Sequence, residues 1–117
     1  MNTAILNKAI AVIRQYGHCD TQLRNGDCFC AWGAVCEAYR QMTGLGRWVI
    51  RKEEGSLEAR WYFETDNMGC SYLPPPAVEK WFGHGHDDDG PDGDNLISAN
   101  SHGKGRAIKF LQSLCPL

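Results

Sequence analysis

Apolar residues return every three or four positions near the start of the chain, which is the spacing of one face of an α-helix. The positions concerned are Ile5, Ala9, Val12, Ile13 and Tyr16. They predict a helix from Ala4 to Tyr16. Thr3 is a suitable N-cap because its hydroxyl can accept an amide hydrogen bond, and Gly17 suits the left-handed residue at which helices often end.

The same spacing returns from Cys30 to Thr43 and predicts a second helix that ends at Gly44. One side of this helix is apolar, and Glu37, Arg40 and Gln41 lie on the opposite, polar side. Gly33 lies within the helix and lowers its stability by about 1 kcal/mol relative to alanine. This indicates that another backbone segment packs closely against Gly33.

Residues 18–27 lack a helical period and contain Asn25-Gly26, a dipeptide that favours tight turns. We expect a loop or a short hairpin there. Branched and aromatic residues dominate 47–51 and 57–63, with Glu54-Gly55-Ser56 between them. This pattern predicts a β-hairpin.

Three prolines, Pro74-Pro75-Pro76, end any strand and favour a short helix over residues 77–82. An acidic, glycine-rich loop follows at 83–95, and apolar periodicity then predicts a last helix over residues 106–114. The sequence therefore predicts a small, mostly helical α+β fold with a β-hairpin, formed as a single domain by residues 1–117.

The chain has 117 residues, of which 43% are hydrophobic and 22% are charged. These values disfavour disordered, collagen-like and coiled-coil classes. Lys8 and Arg14 interrupt the N-terminal apolar pattern, so we expect neither a membrane span nor an export signal. The expected location is the cytoplasm, without a membrane partner.

The net charge of −2 hides a strong local separation. Residues 61–95 carry a net charge of −7, whereas residues 1–60 and 96–117 carry +2 and +3. The acidic loop contributes five carboxylates, from Asp87, Asp88, Asp89, Asp92 and Asp94. They are candidate binding residues for a partner with a basic surface, and a solvated connector is the alternative. Scattered basic residues do not favour nucleic acid as the partner.

Tyr62 is a further candidate binding residue. It lies between Trp61 and Phe63, and side chains alternate along a strand, so Tyr62 points away from the face that buries its neighbours. An exposed aromatic side chain suits a protein-binding surface, and packing of Tyr62 against a long neighbouring side chain is the alternative.

Three short segments resemble a family of small uncharacterised proteins from bacteriophages and bacteria. They are Tyr16-Gly17-His18-Cys19, residues 26–34 (GDCFCAWGA) and residues 97–104 (ISANSHGK). In that family a Gly-x-x-Cys-x-x-Gly-Ala segment opens the second helix, and an Asn-containing turn precedes the last one. In this chain His18 stands where the family has an aromatic residue, and Ser101 where it has Asp. The resemblance implies a shared fold and a phage or prophage setting, and it carries no established activity.

Six cysteines occur at positions 19, 28, 30, 36, 70 and 115. In a reducing cytoplasm, we expect reduced thiols and no metal, with Cys36 as a core residue. Zinc is the alternative cofactor, with Cys28, Cys30, His84 and His86 as ligands. The single residue between Cys28 and Cys30 is fewer than structural zinc sites commonly have. A calcium-binding helix-loop-helix does not fit the acidic loop, because Ala99 falls where the bidentate Glu belongs.

Cys30 opens the second helix, where the helix dipole and free amides would lower the pKa of its thiol. Together with His102, or with His84 or His86, it suggests a cysteine-histidine hydrolase or transferase, and Cys28 competes with Cys30 for the role. A cysteine that only packs at the helix start is the alternative. We favour a different hypothesis, a non-enzymatic phage or prophage protein that binds a host protein. Inhibition of a host defence system, as by anti-CRISPR proteins, is one form that this function would take.

Overall fold

Four helices and five short strands make up the described part of the chain. The computed structural model describes residues 3–20, 22–52, 54–65, 70–71, 93 and 95–115. The elements in chain order are α1 (Thr3–Tyr16), β1 (Arg24–Asn25), β2 (Cys28–Phe29), α2 (Ala31–Thr43), β3 (Arg47–Arg51), β4 (Arg60–Glu64), β5 (Cys70–Ser71), α3 (Leu96–Ser101) and α4 (Lys104–Ser113). This confirms the predicted α+β fold with a mostly helical composition.

The core lies between α1, α2 and α4, and α1 packs chiefly against α2. The apolar positions that predicted α1 and α2 are buried, with the exception of the last residue of each pattern, since Tyr16 and Met42 are partly exposed. Cys36 is completely buried, as predicted. The last helix begins two residues earlier than predicted and buries Ala107, Phe110 and Leu111.

Helix ends follow the predicted glycines. Gly17 has a φ of +98° and donates its N–H to Ile13 O at 2.8 Å, and Gly44 has a φ of +73° and donates to Arg40 O at 2.9 Å. Thr3 is the first residue of α1, not the residue before it. The expected close approach at Gly33 is confirmed, because a Cβ atom there would lie 1.6 Å from the carbonyl oxygen of Leu23.

The small hairpin pairs Arg24 with Phe29 and Asn25 with Cys28, so Gly26-Asp27 form its turn. The predicted turn at Asn25-Gly26 is therefore one residue too early. Gly26 has a positive φ of +61°, while Asn25 keeps its place in β1.

The second sheet has the strand order β3-β4-β5 and is antiparallel. β3 forms as predicted, but the expected strand 57–63 begins only at Arg60, which pairs with Arg51. Leu57 is 94% exposed, so its apolar side chain does not continue the alternating pattern of β4.

One helix was not predicted. α3 begins after Asn95, whose side chain accepts a hydrogen bond from Ser98 N at 2.9 Å. The predicted helix over residues 77–82 and the acidic loop, apart from Gly93 and Asn95, lie outside the described residues. Among the helices described, none combines the length and the apolar character that a membrane crossing requires.

Candidate functional site

A recess of about 370 Å³ opens between the end of α1, the small hairpin, α2 and the start of β3. Its lining combines aromatic side chains with three arginines and two carboxylates. The lining residues are Tyr16, Arg24, Asp27, Phe29, Glu37, Arg40, Gly46, Arg47 and Trp48. A concave surface with a few convergent polar groups is the usual form of a binding site.

Aromatic rings form a continuous wall of the recess, centred on Trp48. The centroid of its ring lies 5.7 Å from that of Phe29 and 4.9 Å from that of Phe63. Phe29 in turn meets Tyr16 edge to face at 5.8 Å. The wall therefore joins the small hairpin to the β-sheet and to α1.

Arg24 lies on this wall. Its guanidinium carbon is 4.2 Å from the ring centroid of Trp61 and 5.3 and 5.6 Å from those of Phe29 and Trp48. Its Nε donates to Gly26 O at 2.7 Å. Within the described residues no carboxylate forms an ion pair with Arg24. Cation–π contacts thus hold the guanidinium, and in the part of the chain that the structure describes no carboxylate occupies its remaining donors.

Glu37 organises the α2 side of the recess. It accepts hydrogen bonds from Arg40 at 2.6 and 2.8 Å, from Gln41 at 2.9 Å and from the indole N–H of Trp48 at 3.1 Å. Burial alone would raise the pKa of the Glu37 carboxyl, but these hydrogen bonds outweigh burial and lower the pKa. Glu37 therefore stays ionised and fixes both Arg40 and Trp48.

The position of Glu37 corrects a prediction. The helical pattern placed it on the polar side of α2, but the residue is only 6% exposed. Its three donors supply the hydrogen bonds that a buried carboxylate requires. Arg40 and Gln41 follow Glu37 by three and four residues, and this spacing in the sequence indicates that both can hydrogen-bond to the Glu37 carboxylate.

Arg47 lies at the other rim and donates to Glu64 at 2.7 Å, and Arg51 donates to the same carboxylate at 3.0 Å. Arg40 and Arg47 thus each have a carboxylate partner, whereas the described residues supply none to Arg24. The lining carries three guanidinium groups and two carboxylates, those of Asp27 and Glu37, so its net charge is positive. Such a lining suits a group that carries a negative charge.

A second cluster lies at the start of α2, where the segment after α1, the first turn of α2 and α3 meet. The side-chain oxygen of Asn100 accepts the backbone N–H of Ala31 at 2.9 Å and lies 2.8 Å from Nε2 of His18. One side chain of α3 thereby joins the end of α1 to the first turn of α2. None of these contacts was anticipated, because His18 and Asn100 are 82 positions apart.

Cys30 is the N-cap of α2, and its sulfur accepts the N–H of Gly33 at 3.3 Å. The residue is only 8% exposed. Burial raises the pKa of its thiol to about 11, although backbone N–H groups of Gly33 and Trp32 act in the opposite direction. The predicted lowering of this pKa is therefore wrong, since desolvation of the thiolate outweighs the helix start.

His102 does not form a catalytic pair with Cys30 in the structure. Its Nδ1 lies 2.6 Å from Ser98 O, and the residue is exposed at the end of α3. No hydrogen bond joins it to Cys30 among the described residues. The histidine close to the start of α2 is His18, which hydrogen-bonds to Asn100.

The zinc alternative is only partly within the described residues, because His84 and His86 lie outside them. In the described part of the chain, no group of three or more His, Cys, Asp or Glu residues is arranged to hold a metal ion. Cys28 donates to Asn25 O at 3.1 Å, and Cys30 caps α2. A zinc site that combines them with His84 and His86 stays a prediction.

The predicted exposure of Tyr62 is wrong, since this residue is 5% exposed. Alternation along β4 does turn Tyr62 away from Phe63, but the second face of the strand is also covered, so both residues are buried. The other predicted binding residues, Asp87, Asp88, Asp89, Asp92 and Asp94, lie outside the described residues. Their role stays a prediction.

Comparison of the chain with known protein families, with curated proteins and with solved structures finds no match.

Proposed function

We propose that the chain is a non-enzymatic protein that binds a host protein and that the arginine-aromatic recess is part of its binding surface. The observation that carries the proposal is the position of Arg24. Its guanidinium lies over the rings of Trp61, Phe29 and Trp48, and it has no carboxylate partner within the described residues.

Arginine and tryptophan are the residues that dominate binding energy at many protein interfaces. A guanidinium that is stacked on aromatic rings loses little further freedom when it binds, and its planar fork matches a carboxylate. The chemical group that the recess recognises is therefore a carboxylate of the partner, from an acidic side chain or a C-terminus.

The resemblance of three segments to phage and bacterial proteins supports a phage or prophage setting. In that setting the protein acts in the cytoplasm of the bacterial host, and inhibition of a defence system, as by anti-CRISPR proteins, is one form of the activity. The acidic loop adds a second contact, because its carboxylates attract a basic surface of the same partner. Nucleic acid and membranes are not the expected partners.

The cysteine-histidine hydrolase or transferase has less support. A thiol with a pKa near 11 is almost entirely protonated at neutral pH, and the sulfur of Cys30 already accepts the N–H of Gly33. His102 lies against Ser98 and makes no hydrogen bond to Cys30 within the described residues. These contacts favour a structural role of Cys30 as a helix cap.

The proposal is tested by affinity capture from a bacterial lysate with quantitative mass spectrometry. The bait is the wild-type chain, the Arg24→Ala variant or the control variant Arg14→Ala, which removes an exposed arginine of α1. We expect a stoichiometric protein partner on the wild type and on Arg14→Ala, and its loss on Arg24→Ala. Circular dichroism establishes that each variant is folded.

Two results would count against the proposal in different ways. Equal capture by Arg24→Ala would remove the recess from the interface while leaving the binding function in place. Absence of any stoichiometric partner would argue against the binding function itself.

A further inference from the structure

The segment after α1 runs beside β2 and brings two half-buried cysteines together. His18 and Phe29 form a parallel bridge, in which Cys19 N donates to Phe29 O at 3.1 Å and Phe29 N donates to Gly17 O at 3.2 Å. These backbone bonds fix the segment that carries Cys19 against the strand that carries Cys28.

Side chains on either side of this bridge point to one face. Residues 17 and 19 flank His18, and Cys28 flanks Phe29, so all three lie on the face opposite to the bridging side chains. Gly17 leaves room there, because a Cβ atom on it would lie 3.8 Å from Cβ of Cys28. The Cys28 thiol also raises the pKa of Cys19, so the two side chains lie close to each other on this face.

Both sulfurs are also held by nearby carbonyl groups. Cys28 Sγ donates to Asn25 O at 3.1 Å, and Cys19 Sγ lies 4.0 Å from Gln22 O. Neither residue is buried, whereas Cys30 and Cys36 are. Among these four cysteines the pair 19 and 28 is thus both adjacent and accessible to a reagent.

We propose that Cys19 and Cys28 are a redox-active dithiol that closes to a reversible disulfide when it meets a disulfide oxidant such as oxidised glutathione. The Cys28 thiolate attacks one sulfur of the oxidant, which gives a mixed disulfide and releases one glutathione. Cys19 then loses its proton to water, attacks the Cys28 sulfur and releases the second glutathione. Two protein thiols are oxidised, and one glutathione disulfide is reduced to two thiols.

The order of attack follows from the surroundings of Cys19. Burial, and then the neighbouring Cys28 thiol, raise the pKa of the Cys19 thiol well above its ordinary range. Cys19 therefore keeps its proton at neutral pH and acts second, as the resolving thiol.

Closure of the bond would cross-link residues 19 and 28 around β1. The loop so closed carries Arg24 and the turn of the small hairpin. A cross-link restricts the unfolded chain, so the oxidised protein should melt at a higher temperature than the reduced one. This inference does not depend on the proposed binding function.

The test incubates the reduced protein with oxidised glutathione at pH 8, blocks free thiols with N-ethylmaleimide and measures the intact mass. We expect the loss of two hydrogens without bound glutathione. Cleavage after Arg14, Arg24 and Arg40 should yield peptide 15–24 disulfide-linked to peptide 25–40. Because peptide 25–40 contains three cysteines, variants identify the partner of Cys19.

In Cys19→Ser the resolving thiol is missing, so Cys28 should retain one glutathione. In Cys28→Ser the internal disulfide should be absent, whereas Cys115→Ser, the matched control, should close like the wild type. Thermal melts of each reduced variant establish that it is folded. The inference is overturned if Cys28→Ser still forms the internal disulfide, if the wild type accumulates only mixed disulfides, or if oxidation lowers the melting temperature.

Discussion

The side chain of Asn100 links His18 to the start of α2, because one oxygen atom serves both the imidazole Nε2 at 2.8 Å and the N–H of Ala31 at 2.9 Å. Ala31 is completely buried, so its amide has no access to solvent as a substitute partner. The segment after α1, the first turn of α2 and α3 therefore meet at a single acceptor.

Asn100→Ala should destabilise the protein by about 1 to 3 kcal/mol, because it leaves a buried amide without an acceptor. Asn100→Asp should keep most of the stability, since a carboxylate accepts the same bond and is favourable near the positive end of α2. Chemical denaturation measures both. Ser101→Ala, on the exposed neighbour, should change stability by less than about 0.5 kcal/mol. Equal losses in Asn100→Ala and Asn100→Asp would contradict the role of the shared oxygen.

The helices α1 and α2 were predictable because their signals are local. The periodicity of α1 and α2 and the glycines that end them all lie within a few residues of each other. The link between His18 and Asn100 was not predictable, since it depends on how distant elements pack. The burial of Glu37 was missed for the same reason, because its donor Trp48 belongs to β3, 11 positions further along the chain.

The Gly33→Ala variant tests whether close packing at this position outweighs the higher helix propensity of alanine. Gly33→Ala should destabilise by at least about 1 to 3 kcal/mol, the usual cost of overpacking, because the new Cβ would lie 1.6 Å from Leu23 O. Gly105→Ala in α4 is the matched control, since a Cβ there meets nothing within 4 Å. It should stabilise by about 0.4 to 1 kcal/mol. Thermal melts measure the stability of both variants. A stabilising effect of Gly33→Ala would mean that the carbonyl of Leu23 does not approach α2 closely.

Ionisation of the Cys30 thiol should lower the free energy of unfolding at alkaline pH. Its pKa is about 11 in the folded chain against an ordinary value of 9.0, so above pH 9.0 the folded state binds more protons than the unfolded state. The free energy of unfolding should therefore fall between pH 9.0 and about 11, by on the order of 3 kcal/mol from this group. Cys30→Ser keeps a helix cap without this titration, so denaturation across that range should show a smaller fall.

The same thiol should react slowly with iodoacetamide at neutral pH, as should Cys36, whose thiol pKa burial also raises. Peptide mapping after timed labelling measures both rates. Labelling of Cys30 much faster than Cys36 would point back to a catalytic thiolate.

The acidic loop carries a prediction that rests on the sequence. Replacing Asp87, Asp88 and Asp89 by Asn should slow association with the captured partner and flatten its dependence on salt, because charge steering acts within a Debye length of about 8 Å. The melting temperature should hardly change. Surface plasmon resonance over a salt series gives the rates. Unaltered kinetics would make the loop a solvated connector.

Glu37 should make stability depend on acidic pH. Its pKa is lowered in the folded chain from an ordinary value of 4.5, so the unfolded state binds more protons as the pH falls. The stabilisation is present above pH 4.5 and is lost below it. Glu37→Gln should cost about 1 to 3 kcal/mol at pH 7, because the charge-assisted bonds to Arg40 and Trp48 are weakened.

Since glutamine does not titrate, the difference in the free energy of unfolding between wild type and Glu37→Gln should shrink as the pH falls from 6 to 3. Glu58→Gln, at an exposed position, is the control and should leave the pH profile unchanged. Tryptophan fluorescence reports on the recess, because the indole of Trp48 donates to Glu37. A difference that stays constant over this range would show that the charge of Glu37 does not stabilise the fold, and that Arg40 and Trp48 are held by packing alone.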